Sequence, residues 1–168
     1  MSRGKIFLLI LLLTTIIYSV MFVINVTAEP KFITEATLSH VDKEIIDPYK
    51  QFSDNPNLTV EDVRQLSIQV EVKKNWSMSN IEIEIPNLVT TIDHYNNQIR
   101  SLKASYRKGS TECISSVIFN YQQLTLADLK EMYRDDLIKI KWVENGENKQ
   151  QEISISSLIT DERGGTKD

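Results

Sequence analysis

Cysteine is almost missing from this chain: Cys113 is its only one in 168 residues. No intrachain disulfide can form, so stability has to come from packing. Glycine and proline are scarce too, at five and four, which excludes collagen-like and low-complexity classes. Of the glycines, Gly4 precedes an apolar run and Gly164 and Gly165 lie in the last residues, leaving little with which to build a phosphate-cradling loop. An excess of basic residues is also absent. The 19 Lys plus Arg face 23 Asp plus Glu, a formal net charge of −4, which argues against a nucleic-acid partner. The chain has no P-loop, G-x-G-x-x-G, H-E-x-x-H, G-x-S-x-G or Cys/His metal cluster, so the enzyme classes with short signatures drop out.

What stands out is one long apolar run, IFLLILLLTTIIYSVMFVI from Ile6 to Ile24, without a charge. As a helix it would measure ~28 Å, close to the hydrocarbon thickness of a bilayer. Arg3 and Lys5 precede it with no acidic residue, and such a basic flank stays on the cytoplasmic side. The expectation is therefore a cytoplasmic N-terminus over residues 1–5, a signal-anchor over 6–28 that meets the lipid bilayer through residues 6–24, and everything after it outside the cytoplasm. Val26-Thr27-Ala28 also satisfies the small-residue rule of a signal peptidase site, so a secreted form cleaved after Ala28 is the alternative. Either way the exported part carries 17 Lys plus Arg against 23 Asp plus Glu, net −6, which favours solubility over binding to anionic lipid heads.

Residues 29–60 read as a connector punctuated by Pro30, Pro48 and Pro56, with a turn cluster at Ser53-Asp54-Asn55-Pro56-Asn57. Leu38, Val41, Ile45 and Ile46 share one helical face there, which predicts a short amphipathic helix. Thr59 with Asp62 suggests one capped turn. From Leu66 the apolar period drops to two. Leu66, Ile68, Val70 and Val72 alternate with polar residues, and so do Ile81, Ile83 and Ile85 before Pro86; the two runs suggest an antiparallel pair. Further strands are expected over Leu102–Arg107, Cys113–Phe119, Ile138–Trp142 and Gln151–Ile155. Asn145-Gly146 predicts a tight hairpin between the last two, because both turn positions need positive φ. Thr125-Leu-Ala-Asp128 opens a short helix. Six strands and one short helix within residues 61–160 point to a mainly β domain, an antiparallel β-sandwich of immunoglobulin-like or fibronectin-like architecture, followed by a polar tail over 161–168. The Cys…Trp…Cys spacing of true immunoglobulin domains is absent.

Chemistry-bearing residues are few. Cys113 reads as a small apolar side chain within its strand, Trp142 as core in phase with Ile138 and Ile140, and Trp76 as an edge indole that caps the domain or meets a partner. Asp93 beside His94 supplies too few ligands for a metal. The acidic residues near Lys130 and Arg134 fit ordinary helix-surface pairing. An anchored extracytoplasmic β-domain with a single Cys resembles a sortase in the Thr-x-Cys spacing of Ser110-Thr111-Glu112-Cys113. That resemblance implies a thiol transpeptidase using Cys113 with His40 or His94 and Arg134, although Glu112 would oppose thiolate formation. The stronger expectation has no catalytic, cofactor or metal residue: a non-enzymatic binding or assembly module at the cell surface, with a protein or cell-surface partner and no nucleic acid.

Overall fold

The computed structural model describes residues 3–27, 29–50, 59–95, 101–122 and 124–161. Ala28, the Ser53–Asn57 turn cluster and residues 162–168 of the tail lie outside them. In chain order the elements are α1 (Arg3–Thr27), β1 (Lys31–His40), α2 (Lys43–Lys50), a 3-10 turn (Val60–Asp62), β2 (Val63–Lys73), β3 (Met78–Glu84), α3 (Leu88–Tyr95), β4 (Ser101–Lys108), β5 (Glu112–Asn120), α4 (Leu126–Met132), β6 (Leu137–Glu144), β7 (Glu147–Ser154), α5 (Ile155–Leu158) and β8 (Ile159–Asp161). The molecule is mainly β. Its strands form a five-stranded sheet in the order β4-β5-β2-β1-β8 and a three-stranded sheet in the order β3-β6-β7.

Helix α1 runs for 25 residues, and its window Ile6–Val23 has a mean hydropathy of 2.7 with none of it buried against the rest of the chain. Its hydroxyls do not interrupt the apolar surface. Thr14 and Thr15 both donate to the Leu11 carbonyl at 2.8 Å, and Ser19 donates to the Thr15 carbonyl at 2.9 Å, so these polar groups are satisfied within the helix.

Strand β2 is the centre of the larger sheet, paired antiparallel to β1 on one side and β5 on the other. Its period-two pattern places Leu66, Ile68, Val70 and Val72 on the inner face, all buried. The register sets them beside Leu38, Ala36, Thr34 and Phe32 of β1 and beside Val117, Ser115 and Cys113 of β5. From the smaller sheet, Ile83, Ile138, Ile140 and Trp142 close on the same core. Burying one such Leu or Ile stabilises by ~2 kcal/mol, and truncating it to Ala costs ~2–5 kcal/mol because a cavity remains.

On the outer face of the larger sheet, Val41 and Ile46 of the β1–α2 segment cover Val63 and Ile118, with Leu102 at the margin. Helices α3, α4 and α5 close one end, where Tyr133 is fully buried and its hydroxyl donates to the Leu88 carbonyl at 3.0 Å. Both short N-caps follow one rule: Thr59 and Thr125 each give backbone N–H and hydroxyl bonds to the carboxylate three residues on, Asp62 and Asp128.

Three expectations need correction. Residues 31–40, read as connector, form a core strand with ten register partners in β2 and a parallel partner in β8. The amphipathic helix starts at Lys43, so Leu38 belongs to β1. Strands β2 and β3 do not pair; the chain crosses from one sheet to the other between them, and β3 pairs with β6. Each run does bury one face, but the partner is chosen by contacts far apart in sequence. The Asn145-Gly146 hairpin forms as expected, with φ of 52° and 84°.

Candidate functional site

Of the four sheet edges, three are blunted in ways that discourage strand addition. Strand β8 has three residues; β3 is irregular between Ser79 and Glu82, with Asn80 at φ 49°; β7 carries charges of both signs, Glu147, Lys149 and Glu152. Strand β4 is different. Among the described residues it pairs only with β5, and from Lys103 to Lys108 every residue is exposed. Its charges, Lys103, Arg107 and Lys108, are all positive.

Beside this edge lies a groove of about 350 Å³, bounded by Ile85–Val89 on one side and by Ala104, Ser105, Tyr106, Ser115 and Ser116 on the other. Pro86 forces the chain out of β3, and Asn87 then accepts the Val89 N–H at 3.1 Å to start α3. Those two residues therefore hold the far wall. The near wall is polar at its rim: Ser105 and Ser116 share a hydroxyl hydrogen bond of 2.8 Å. The Cys113 side chain beside the Tyr106 hydroxyl, with partial desolvation and the nearby Glu84 carboxylate, pushes the phenol up to about 12. A lining that mixes aliphatic side chains with a few hydroxyls, open along a bare strand edge, suits an extended chain with alternating side chains.

A second hollow, of about 340 Å³, adjoins it through Ile85 and Pro86 and is lined by Glu84, Asp135, Asp136 and Lys139. All three of its carboxylates are already engaged, Asp135 by Arg134 at 3.5 Å. Lys141 donates to Glu84 at 2.9 Å, holding that carboxyl below its ordinary range, and Thr91 donates to Asp136 at 2.7 Å. No group of His, Cys, Asp and Glu suited to a metal occurs among the described residues.

The residues of the sortase resemblance are not assembled. Cys113 is fully buried opposite Val70. His40 pairs with Arg64, six residues along β2 from Val70, or ~20 Å. His94 turns back to the Thr90 carbonyl at 2.6 Å, and Arg134 pairs with Glu131 and Asp135 on the exposed end of α4. Trp142 is 8% exposed and packs on Phe32 with ring centroids 5.0 Å apart; its indole N–H has no partner among the described residues. Trp76, by contrast, is 79% exposed. The groove itself went unread in the sequence. Its only signals were the cationic composition of Ser101–Lys108 and the Pro86-Asn87 step.

No protein-family model matches the chain, and no curated protein matches its sequence.

Proposed function

We propose that the chain is a membrane-anchored, extracytoplasmic binding module whose two-sheet domain takes up an extended polypeptide segment along β4. In this reading α1 spans the bilayer with its N-terminus in the cytoplasm, and the domain is a β-sandwich standing outside. The anchor is supported by an 18-residue apolar window left wholly uncovered, a surface that water would not tolerate. An uncleaved anchor is favoured over a secreted form because α1 continues through Val26 and Thr27, and a protease takes its substrate extended. The likeness to immunoglobulin-type domains extends to layering alone, since the parallel β1–β8 pair and the order β4-β5-β2-β1-β8 depart from them.

The observation that carries the binding proposal is the free, cationic edge of β4 lying beside a groove that side chains can enter. Main-chain hydrogen bonds would supply affinity and the groove would supply selectivity. Arg107 is paired with Glu112 at 3.3 Å, and the remaining Lys103 and Lys108, with no anion on the strand, favour a ligand rich in Asp and Glu.

The test uses the full chain in lipid nanodiscs, challenged with a displayed library of extended peptides. Selected peptides are expected to be acidic and to slow amide hydrogen exchange across Ser101–Lys108. Ala104→Trp, which fills the groove, is expected to abolish binding. Protection confined to β7, or binding indifferent to Ala104→Trp, would overturn the proposal.

A further inference from the structure

Only residues 28–30 separate the end of α1 from the start of β1. Four Cα steps cannot exceed ~14 Å, so if α1 is the anchor, on which reading this inference rests, Lys31 stands close to the bilayer surface. The sheet register then decides what stands there with it. Lys31 is directly opposite Lys73, and Lys74 and Trp76 follow in the turn to β3. Strand β5 begins at the same end, with Glu112 opposite Glu71, which brings Lys108 and Arg107 there.

Trp76 is held out on a built turn. The Asn75 Oδ1 accepts from the Ser77 N–H at 3.0 Å and from the Ser77 hydroxyl at 2.8 Å, and the Ser77 carbonyl accepts the Asn145 N–H at 3.3 Å. A large indole is thus fixed in an exposed position by hydrogen bonds that pin the turn to the β6–β7 hairpin. Among the described residues it belongs to neither core cluster.

The charges at this end are mixed, but they are not evenly spent. Arg107 pairs with Glu112 at 3.3 Å and Lys149 with Glu147 at 3.0 Å; Glu144 lies within 3.5 Å of the Asn75 amide and the Ser77 hydroxyl. Glu29 precedes β1 and Glu71 sits two residues before Lys73. Lys31, Lys73 and Lys74 are exposed and make no ion pair among the described residues. Like charges directly opposite one another across a strand pair are destabilising, and an anion between Lys31 and Lys73 would relieve that repulsion. An otherwise acidic exported chain therefore presents unpaired ammonium groups and an exposed indole together at the end tied to the anchor. That combination matches the boundary of an anionic bilayer, where indoles settle at headgroup depth and lysines reach phosphates.

We infer that Trp76, with Lys31, Lys73 and Lys74, seats the domain on the anionic headgroups of the membrane that holds α1. The contact makes the short tether a fixed foot, and it sets the strands rising from the surface with the α3–α4–α5 end outward.

The experiment uses the full chain in vesicles of phosphatidylcholine with or without phosphatidylglycerol, carrying a headgroup nitroxide quencher. Emission of the Trp76→Phe variant, which keeps buried Trp142, is subtracted from that of the parent to isolate Trp76. The inference expects blue-shifted Trp76 emission, quenched several-fold more in anionic than in neutral vesicles and less at high salt. The Lys31→Gln/Lys73→Gln/Lys74→Gln variant is expected to lose that lipid dependence while remaining in the membrane after an alkaline wash. Trp76 emission that stays water-like and unquenched in a chain that survives the wash overturns the inference and spares the anchor. A chain that washes off overturns the anchor and the inference with it.

Discussion

The side chain of Tyr133 is fully buried, and the bond of its hydroxyl to the Leu88 carbonyl ties the turn after α4 to the first residue of α3. Burial, with the charges of Asp136 and Asp93, raises the phenol far above its ordinary value, so it stays a neutral donor at any working pH. Tyr133→Phe removes this bond while the Leu88 carbonyl keeps its place at the start of the α3 hydrogen-bond ladder, and the expected loss is ~1 kcal/mol in urea unfolding at pH 7. Asp62 and Asp128 act differently. Hydrogen bonds from the Thr59 side chain and backbone, with lesser help from Gln122 and Arg64, lower the first below its ordinary 3.8; those from Thr125 lower the second. A carboxyl with a depressed folded pKa contributes stability that is complete above its unfolded pKa and lost as pH falls through the folded value. The Asp62→Asn/Asp128→Asn variant is therefore expected to be less stable at pH 7 and to lose less stability between pH 5 and 2.5, read as the slope of unfolding free energy against pH. Cys113 is expected to resist a thiol reagent until urea unfolds the domain, because its sulfur lies wholly within the core.

Gly146 belongs to the element scale, since its φ of 84° and the 52° of Asn145 make the β6–β7 turn. Nothing lies within 4 Å of where a Cβ would stand, so Gly146→Ala meets backbone strain and no clash. The expected cost is ~1 kcal/mol, measured as a lower denaturation midpoint with the fold retained. This hairpin, the alternation in β2, β5 and β6, and the Thr125 cap were legible because each rests on residues close together in sequence. Strand β1 was obscured for a local reason: Phe32, Thr34, Ala36 and Leu38 have the same period of two, but Leu38 also fits a helical face with Val41, Ile45 and Ile46. Helix α3 was obscured because Val89, Thr90, Thr91 and Ile92 are β-branched. The Asn87 cap and the buried Leu88 and Ile92 one turn apart decide it. The separation of β2 from β3 had no sequence signal, since both runs present one apolar face and only the packed core assigns them to different sheets. The groove depends on that separation, which is why neither Tyr106 nor Ser116 stood out as part of a site.

At the scale of the whole molecule, an apolar helix that the domain leaves uncovered is joined by three residues to two sheets with a common core. One end carries the indole and lysines beside the tether, one side carries the free edge of β4, and the far end is closed by short helices. The proposed function requires the domain to lie across a membrane from Arg3 and Lys5. The most direct measurement uses the silence of the buried Cys113: Ala127→Cys on exposed α4, in the full chain in intact cells, supplies one accessible thiol for a membrane-impermeant maleimide. The account expects labelling without lysis, on a membrane-bound product that retains its first 28 residues. Labelling only after lysis, or a labelled product shortened by that segment, would contradict it.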